Sequence, residues 1–194
     1  MLLPPQNKKG FTLMELLLVS AVMIFLAIVA LSSLMKSQDQ FRFKSTVNNT
    51  ADVLRTVRNY ALSNKPAPTS AAPQYVAKID SSTGTIQIFG DNNKDGNFDS
   101  DSDPVDKLFK TYTIPANSGK YTLMKNKDDI SSIQPNLTLI YQPTTANFSI
   151  LEQYFSDRYA VIKITDSVDE NRFTYIVLFK ESGNPEVLNN LDDL

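Results

Sequence analysis

The chain contains no cysteine and no histidine. Without cysteine, no disulfide can hold a domain together and no thiolate can serve as ligand or nucleophile. Without histidine, the Ser-His-Asp triad, the Cys-His dyad and the common zinc sites are excluded together. Basic excess is lacking as well: 19 Lys and Arg stand against 21 Asp and Glu, a formal net charge of −2. A weakly acidic chain offers no electrostatic footprint for nucleic acid. Carboxylate pairs such as Glu152 with Asp157, or Asp166 with Asp169, remain as nominal acid and base. Carboxylates at such spacings read as solvated loop residues, so the chain is not expected to be an enzyme or to take a small-molecule substrate. Charge of either sign is also absent from Leu16 to Met35.

That last absence is the informative one. A helix over those residues, at about 1.5 Å per residue, spans roughly 30 Å, the hydrocarbon thickness of a bilayer. Lys8 and Lys9 precede it and predict a cytoplasmic N-terminal end, with the bulk of the chain outside the cytoplasm. A cleaved secretory signal is the rival reading, but it would have a shorter apolar core followed by a small-residue cleavage site. Here the apolar stretch runs on without a break into an amphipathic pattern. Glu15 stands near the start of the segment. Deep in lipid and unpaired, it would cost about 2.5 kcal/mol or more. It either lies solvated at the headgroup level or meets a cation. Cleavage between Gly10 and Phe11 would supply one, the new α-amino group of Phe11, in its own chain or a neighbour's.

The stretch Lys9-Gly10-Phe11-Thr12-Leu13-Met14-Glu15-Leu16-Leu17-Leu18-Val19 resembles the class III signal of type IV pilins and type II secretion pseudopilins. That motif is a glycine, then Phe-Thr-Leu-Ile-Glu, then an apolar helix; Met14 for the usual Ile or Val is the one departure. The resemblance implies that a prepilin peptidase cuts after Gly10 and methylates Phe11, and that Glu15 pairs with a neighbour's N-terminus during assembly. The partners it implies are that peptidase, other pilin or pseudopilin subunits, and the bacterial inner membrane, crossed once. Many major pilins carry a proline near the middle of this segment; its absence here predicts a straighter helix.

Beyond the apolar run, Phe43, Val47, Ala51, Leu54, Val57 and Ala61 recur at three- and four-residue steps between polar residues. They predict one helix from about Phe11 to Asn64, its second half packed by this stripe on a globular domain. Lys65 to Pro73 is a proline-rich breaker. After it the chain reads as strands: Gln74–Asp80, Thr85–Gly90, Lys107–Ile114, Lys120–Lys125, Leu137–Gln142, Ala146–Leu151, Tyr159–Thr165 and Phe173–Lys180. Ser81-Ser82-Thr83-Gly84 signals a hairpin between the first two. Ile162, Ile164, Tyr175, Val177 and Phe179 show the alternation of half-buried strands. The fold class is therefore α+β, a long N-terminal helix on an antiparallel β domain, as in pilins. Its parts are a leader (1–10), a transmembrane and assembly helix (11–35), an amphipathic helix (36–64) and a β-rich extracytoplasmic head (65–194).

One loop carries possible ligand chemistry. In Asp91-Asn92-Asn93-Lys94-Asp95-Gly96-Asn97-Phe98-Asp99-Ser100-Asp101-Ser102-Asp103, oxygen donors alternate around a glycine, as in the first half of an EF-hand loop. Asp91, Asn93, Asp95 and Asp99 fall at ligand positions. Ser102 replaces the bidentate acid at the twelfth, bracketed by Asp101 and Asp103, and Phe98 offers an apolar anchor. Hard oxygens without nitrogen or sulfur favour Ca²⁺. A solvated acidic loop capped by Asx-turns is the alternative.

This loop, with Ile88-Phe89-Gly90 before it, also resembles the H-type minor pseudopilins of type II secretion and the related T-type fimbrial minor pilins (the GspH/FimT-type family). Leu54 to Asn64 and Ser182-Gly183-Asn184-Pro185-Glu186-Val187 resemble further stretches of that family. The function expected is a structural, minor subunit of a type IV pilus or secretion pseudopilus. A DNA-binding minor pilin of a competence filament is the alternative. It would need a basic patch, and the tail Glu186–Leu194 holds Glu186, Asp192 and Asp193 with no Lys or Arg.

Overall fold

A computed structural model describes residues 11–63, 74–101, 106–115, 118–124, 135–143, 148–150 and 158–191. The leader, the Pro-rich breaker, Lys125, Asp103, Glu152 and Asp157 therefore lie outside the described residues.

Helix α1 runs from Leu13 to Leu62. No glycine or proline interrupts it, and straight-chain and alanine residues recur throughout, so propensity favours one continuous element. The Ser63 N–H still donates to Asn59 O at 2.9 Å, and Pro66 follows three residues later, where a helix must end. Contacts divide the chain into two compact units after Phe41.

In the unit up to Phe41, the helix presents apolar side chains to its surroundings: Leu16, Leu17, Ile24, Phe25, Leu31 and Leu34 are all exposed. It is the one helix among the described residues that is long and apolar enough to cross a membrane by length and composition. Two of its serine hydroxyls are satisfied within the helix. Ser20 donates to Leu17 O and Ser32 to Val29 O, at 2.9 and 2.8 Å, as an apolar solvent requires.

The second unit, from Arg42 onward, is built on two antiparallel sheets. Strands β1 (Gln74–Asp80), β2 (Thr85–Asp91), β3 (Lys107–Thr113), β5 (Asn136–Tyr141) and β6 (Phe148–Ile150) form the first, in the order β3-β2-β1-β5-β6. Strands β4 (Lys120–Met124), β7 (Tyr159–Thr165), β8 (Phe173–Phe179) and β9 (Pro185–Leu188) form the second, in the order β4-β7-β8-β9. Each expected strand is present, with ends differing by a residue or two. The short β9 follows the Ser182-Gly183 turn.

One core joins the helix to both sheets. Phe43, Val47, Ala51, Leu54, Val57 and Ala61 are all buried in it, against Tyr75, Ala77, Ile79, Leu137 and Leu139 of the first sheet and Leu123, Ile162, Ile176 and Leu178 of the second. Thr50 adds a polar pin, its hydroxyl 3.0 Å from the Tyr121 hydroxyl in β4. Burial pushes the Tyr121 phenol well above its ordinary pKa, so it stays a neutral hydrogen-bonding group.

Parts of the outer faces are covered as well, which the expected half-buried alternation did not include. Val161 and Val177 are buried with Met124 and Leu191 on the far side of the second sheet. In β8, Ile176 and Leu178 face the main core while Tyr175, Val177 and Phe179 belong to that second cluster. On the first sheet, Val76, Phe89 and Ile140 form a third cluster.

The last turn is locked onto the helix. Arg58 Nε donates to Ser182 O at 3.0 Å, and the Tyr141 hydroxyl donates to Gly183 O at 3.1 Å. Gly183 has φ +61°, and a Cβ there would stand 2.9 Å from the Tyr141 ring. Glycine is required twice over, by backbone and by space.

Candidate functional site

Two regions hold the residues singled out by the sequence: the start of α1 and the loop after β2. At the helix start, the Thr12 backbone N–H donates to Glu15 Oε2 at 2.9 Å, and the Thr12 hydroxyl donates to the same oxygen at 3.1 Å. The Glu15 N–H donates back to Thr12 Oγ1 at 3.2 Å. This is a reciprocal capping box, which gives partners to N–H groups that the first helical turn leaves free. A carboxylate here also faces the positive end of the helix dipole. Glu15 is thus placed by its own chain, and Oε1 takes no part in the three bonds. The Thr12-x-x-Glu15 spacing is itself the capping signature, a third partner for Glu15 beside the headgroup solvent and the cation expected from its charge. Phe11 is exposed just before the cap; Gly10 lies outside the described residues.

In the loop, Asp91 is 0% exposed at the end of β2. Its Oδ1 accepts the Lys94 N–H at 2.6 Å, and its Oδ2 accepts the Gly96 N–H at 2.8 Å and Gln74 Nε2 at 2.6 Å. Gln74 opens β1 directly opposite Asp91 in the ladder. Lys94 and Gly96 both adopt positive φ, 67° and 76°, so the chain coils tightly around this one carboxylate. Asn93 Oδ1 accepts the Asp95 N–H at 3.1 Å, and Asp95 Oδ1 accepts the Asn97 N–H at 2.7 Å. These are successive Asx-turns. Asn93 Nδ2 reaches Asp99 Oδ2 at 3.4 Å. Phe98 packs edge-on against Phe89 at 5.7 Å, the apolar anchor expected of it.

The far end of the loop is held by a residue outside the anticipated set. Asp106, buried just before β3, accepts the Asn92 N–H at 2.8 Å and the Asp99 N–H at 3.0 Å. In sequence it is one more Asp after an acidic run; only the β2–β3 pairing brings it opposite Asn92.

The donors are the hard oxygens that Ca²⁺ takes. In the described loop, Asp91, Asn93 and Asp95 present oxygens to backbone N–H groups, and Asp101 is exposed and accepts from the Ser100 hydroxyl at 3.3 Å. Among the described residues, no three Asp or Glu side chains come together in a way that could hold a metal ion. Asp103, the other candidate at the twelfth position, lies outside them.

The remaining carboxylate pair is structural. Asp166 is buried rather than solvated, and its Oδ2 meets Arg172 Nη1 at 2.7 Å; Asp169 meets Arg172 Nη2 at 3.7 Å. One guanidinium thus ties the two acids of the β7–β8 turn, and no acid–base couple is formed by them.

Comparison of the chain with protein-family models, with curated proteins and with solved structures finds no match.

Proposed function

We propose that this chain is a subunit of a membrane-derived filament of the type IV pilus or type II secretion pseudopilus kind. It is made with a leader that ends at Gly10, cut so that Phe11 becomes the N-terminus, and assembled through the first half of α1. The head stands outside the inner membrane. The observation that supports this reading best is the division within one helix. Up to Phe41 its apolar side chains are exposed, and from Phe43 the apolar stripe is buried in the head. A helix that served only the head would not need the first part. A plain anchor would not need the signal-like junction at Gly10-Phe11 or a carboxylate set at its entry.

The capping box adds a specific role to Glu15. Oε2 serves its own helix, which leaves Oε1 for a neighbour's N-terminal amine. Two substitutions separate these roles. Glu15→Gln retains an acceptor for the cap and removes the charge; Glu15→Ala removes both. Co-expressed with a prepilin peptidase, both variants are expected to be cleaved, and both to assemble poorly. Normal assembly of Glu15→Gln would show that the carboxylate acts only as a cap.

A further inference from the structure

Asp95-Gly96 is the one place in the sequence where aspartate or asparagine precedes glycine. That dipeptide carries its own chemistry. The glycine N can attack the aspartate Cγ, forming an N–Cγ bond and expelling a carboxyl oxygen as water, which closes a five-membered succinimide. Water then opens the ring at either carbonyl. One opening restores aspartate; the other leaves isoaspartate, with the backbone lengthened by one methylene. Glycine favours the attack because it has no Cβ to shield its nitrogen.

The folded loop obstructs each part of that attack. The nitrogen must give up its proton, and the Gly96 N–H donates to Asp91 Oδ2 at 2.8 Å. Gly96 and Asp91 are both buried, which withholds the N–H from the hydroxide that would take its proton. A carboxylate is far too weak a base to remove an amide proton itself, so Asp91 fixes the N–H rather than activating it. Asp91 is fixed in turn, by the Lys94 N–H at 2.6 Å and by Gln74 Nε2 at 2.6 Å from the facing strand. The electrophile is turned elsewhere, since Asp95 Oδ1 accepts the Asn97 N–H at 2.7 Å. Asp95 is exposed, so burial does not protect its own carboxyl.

We propose that Asp95-Gly96 is a latent isomerisation site and that the buried Asp91 carboxylate keeps it closed. Asp91 ends β2 directly opposite Gln74, which opens β1. The guard therefore belongs to the end of the β1–β2 ladder. A chain in which that end has opened releases the Gly96 nitrogen, and isoaspartate at position 95 then marks it permanently. The added methylene displaces the acceptor that Asp95 offers to Asn97, so a marked loop does not close as before. The site operates in a single chain, whether or not the chain assembles.

The test holds the full chain in detergent at neutral pH and follows isoaspartate at position 95 by peptide mapping with mass spectrometry. The folded parent is expected to convert slowly, and the parent in urea at least about tenfold faster. Asp91→Asn keeps the side-chain shape but leaves one oxygen for three donors. With near-ultraviolet circular dichroism still reporting a folded head, it is expected to convert about tenfold faster than the folded parent. Gln74→Leu removes one anchor of Asp91 and is expected to convert about threefold faster; should Asp91→Asn lose its fold, this variant decides alone. Gly183→Ala, which strains the head far from the loop, is expected to match the parent. Asp95→Glu, whose ring would need six members, is expected to give no product. A folded parent that converts as fast as in urea would overturn the proposal. So would folded Asp91→Asn and Gln74→Leu that convert no faster than the parent. Equal acceleration in Gly183→Ala would overturn it too, because general stability and not Asp91 would then set the rate.

Discussion

The two halves of α1 have the same backbone and opposite surroundings. Up to Met35 the helix is apolar on nearly every side and exposed; from Phe43 apolar residues are confined to a stripe and that stripe is buried. Propensity cannot distinguish the halves, because both lack glycine and proline. Their difference lies in the second partner. The later half finds its own inside the chain, in two sheets. The earlier half finds none among the described residues, and on the proposed reading takes first lipid and then other subunits.

The sharpest way to break this comparison is to make matched truncations in the two halves. Leu54→Ala, at a fully buried position, is expected to destabilise the head by about 2–5 kcal/mol. Leu26→Ala, at an exposed position in the first half, is expected to leave head unfolding within about 0.5 kcal/mol. Thermal unfolding of the full chain in detergent, followed by near-ultraviolet circular dichroism, reads both. Equal losses would mean that the halves are not energetically distinct.

Gly183→Ala tests the lock between the second half and the final turn. The positive φ and the 2.9 Å approach to Tyr141 predict a loss of about 1–3 kcal/mol by the same measurement. No loss would mean that the turn relaxes freely and that the Arg58 contact is incidental.

Asp91→Ala leaves the Lys94 and Gly96 N–H groups without their acceptor, and is expected to cost about 1–3 kcal/mol. The loss is expected to be equal with and without millimolar Ca²⁺. A loss seen only with the ion present, together with calorimetric heat that vanishes in Asp95→Ala, would put a cation at the centre of the loop.

The smallest effect is in pH. Burial raises the Tyr121 and Tyr141 phenols above the ordinary value of 10. A raised folded pKa contributes stability that is intact below that value and lost as pH rises above it. The head is therefore expected to melt at lower temperature as pH climbs past 10. Tyr121→Phe should flatten the slope while lowering the neutral-pH value through the lost Thr50 contact.

What the sequence showed and concealed follows from how local each signal is. The helical stripe and the strand runs are periodic patterns in neighbouring residues, so Phe43 to Ala61 and Tyr159 to Thr165 could be read directly. The Ser182-Gly183 turn was visible through its glycine. The sheet order was not, because nothing local says that β4 leaves the first sheet to pair with β7. The double-sided burial of β8 depends on residues far along the chain, Met124 and Leu191 among them. Asp106 and the Asp166–Arg172 pair were hidden for the same reason: an aspartate looks solvated until its partner is known. The Thr12–Glu15 cap is the exception. It is fully local, carried by four consecutive residues, and the charge of Glu15 is the more conspicuous signal in the same stretch.

The central claim is that the first half of α1 becomes a subunit interface once the chain is cut at Gly10-Phe11. It is tested most directly by co-expressing the full chain with a prepilin peptidase and its assembly machinery, isolating the material that sediments as fibres, and determining its N-terminus by mass spectrometry. Fibres whose subunits begin at Phe11, and which disappear in Gly10→Leu, are the predicted result. Subunits that retain Met1, or a Gly10→Leu variant that yields fibres as the parent does, would contradict it.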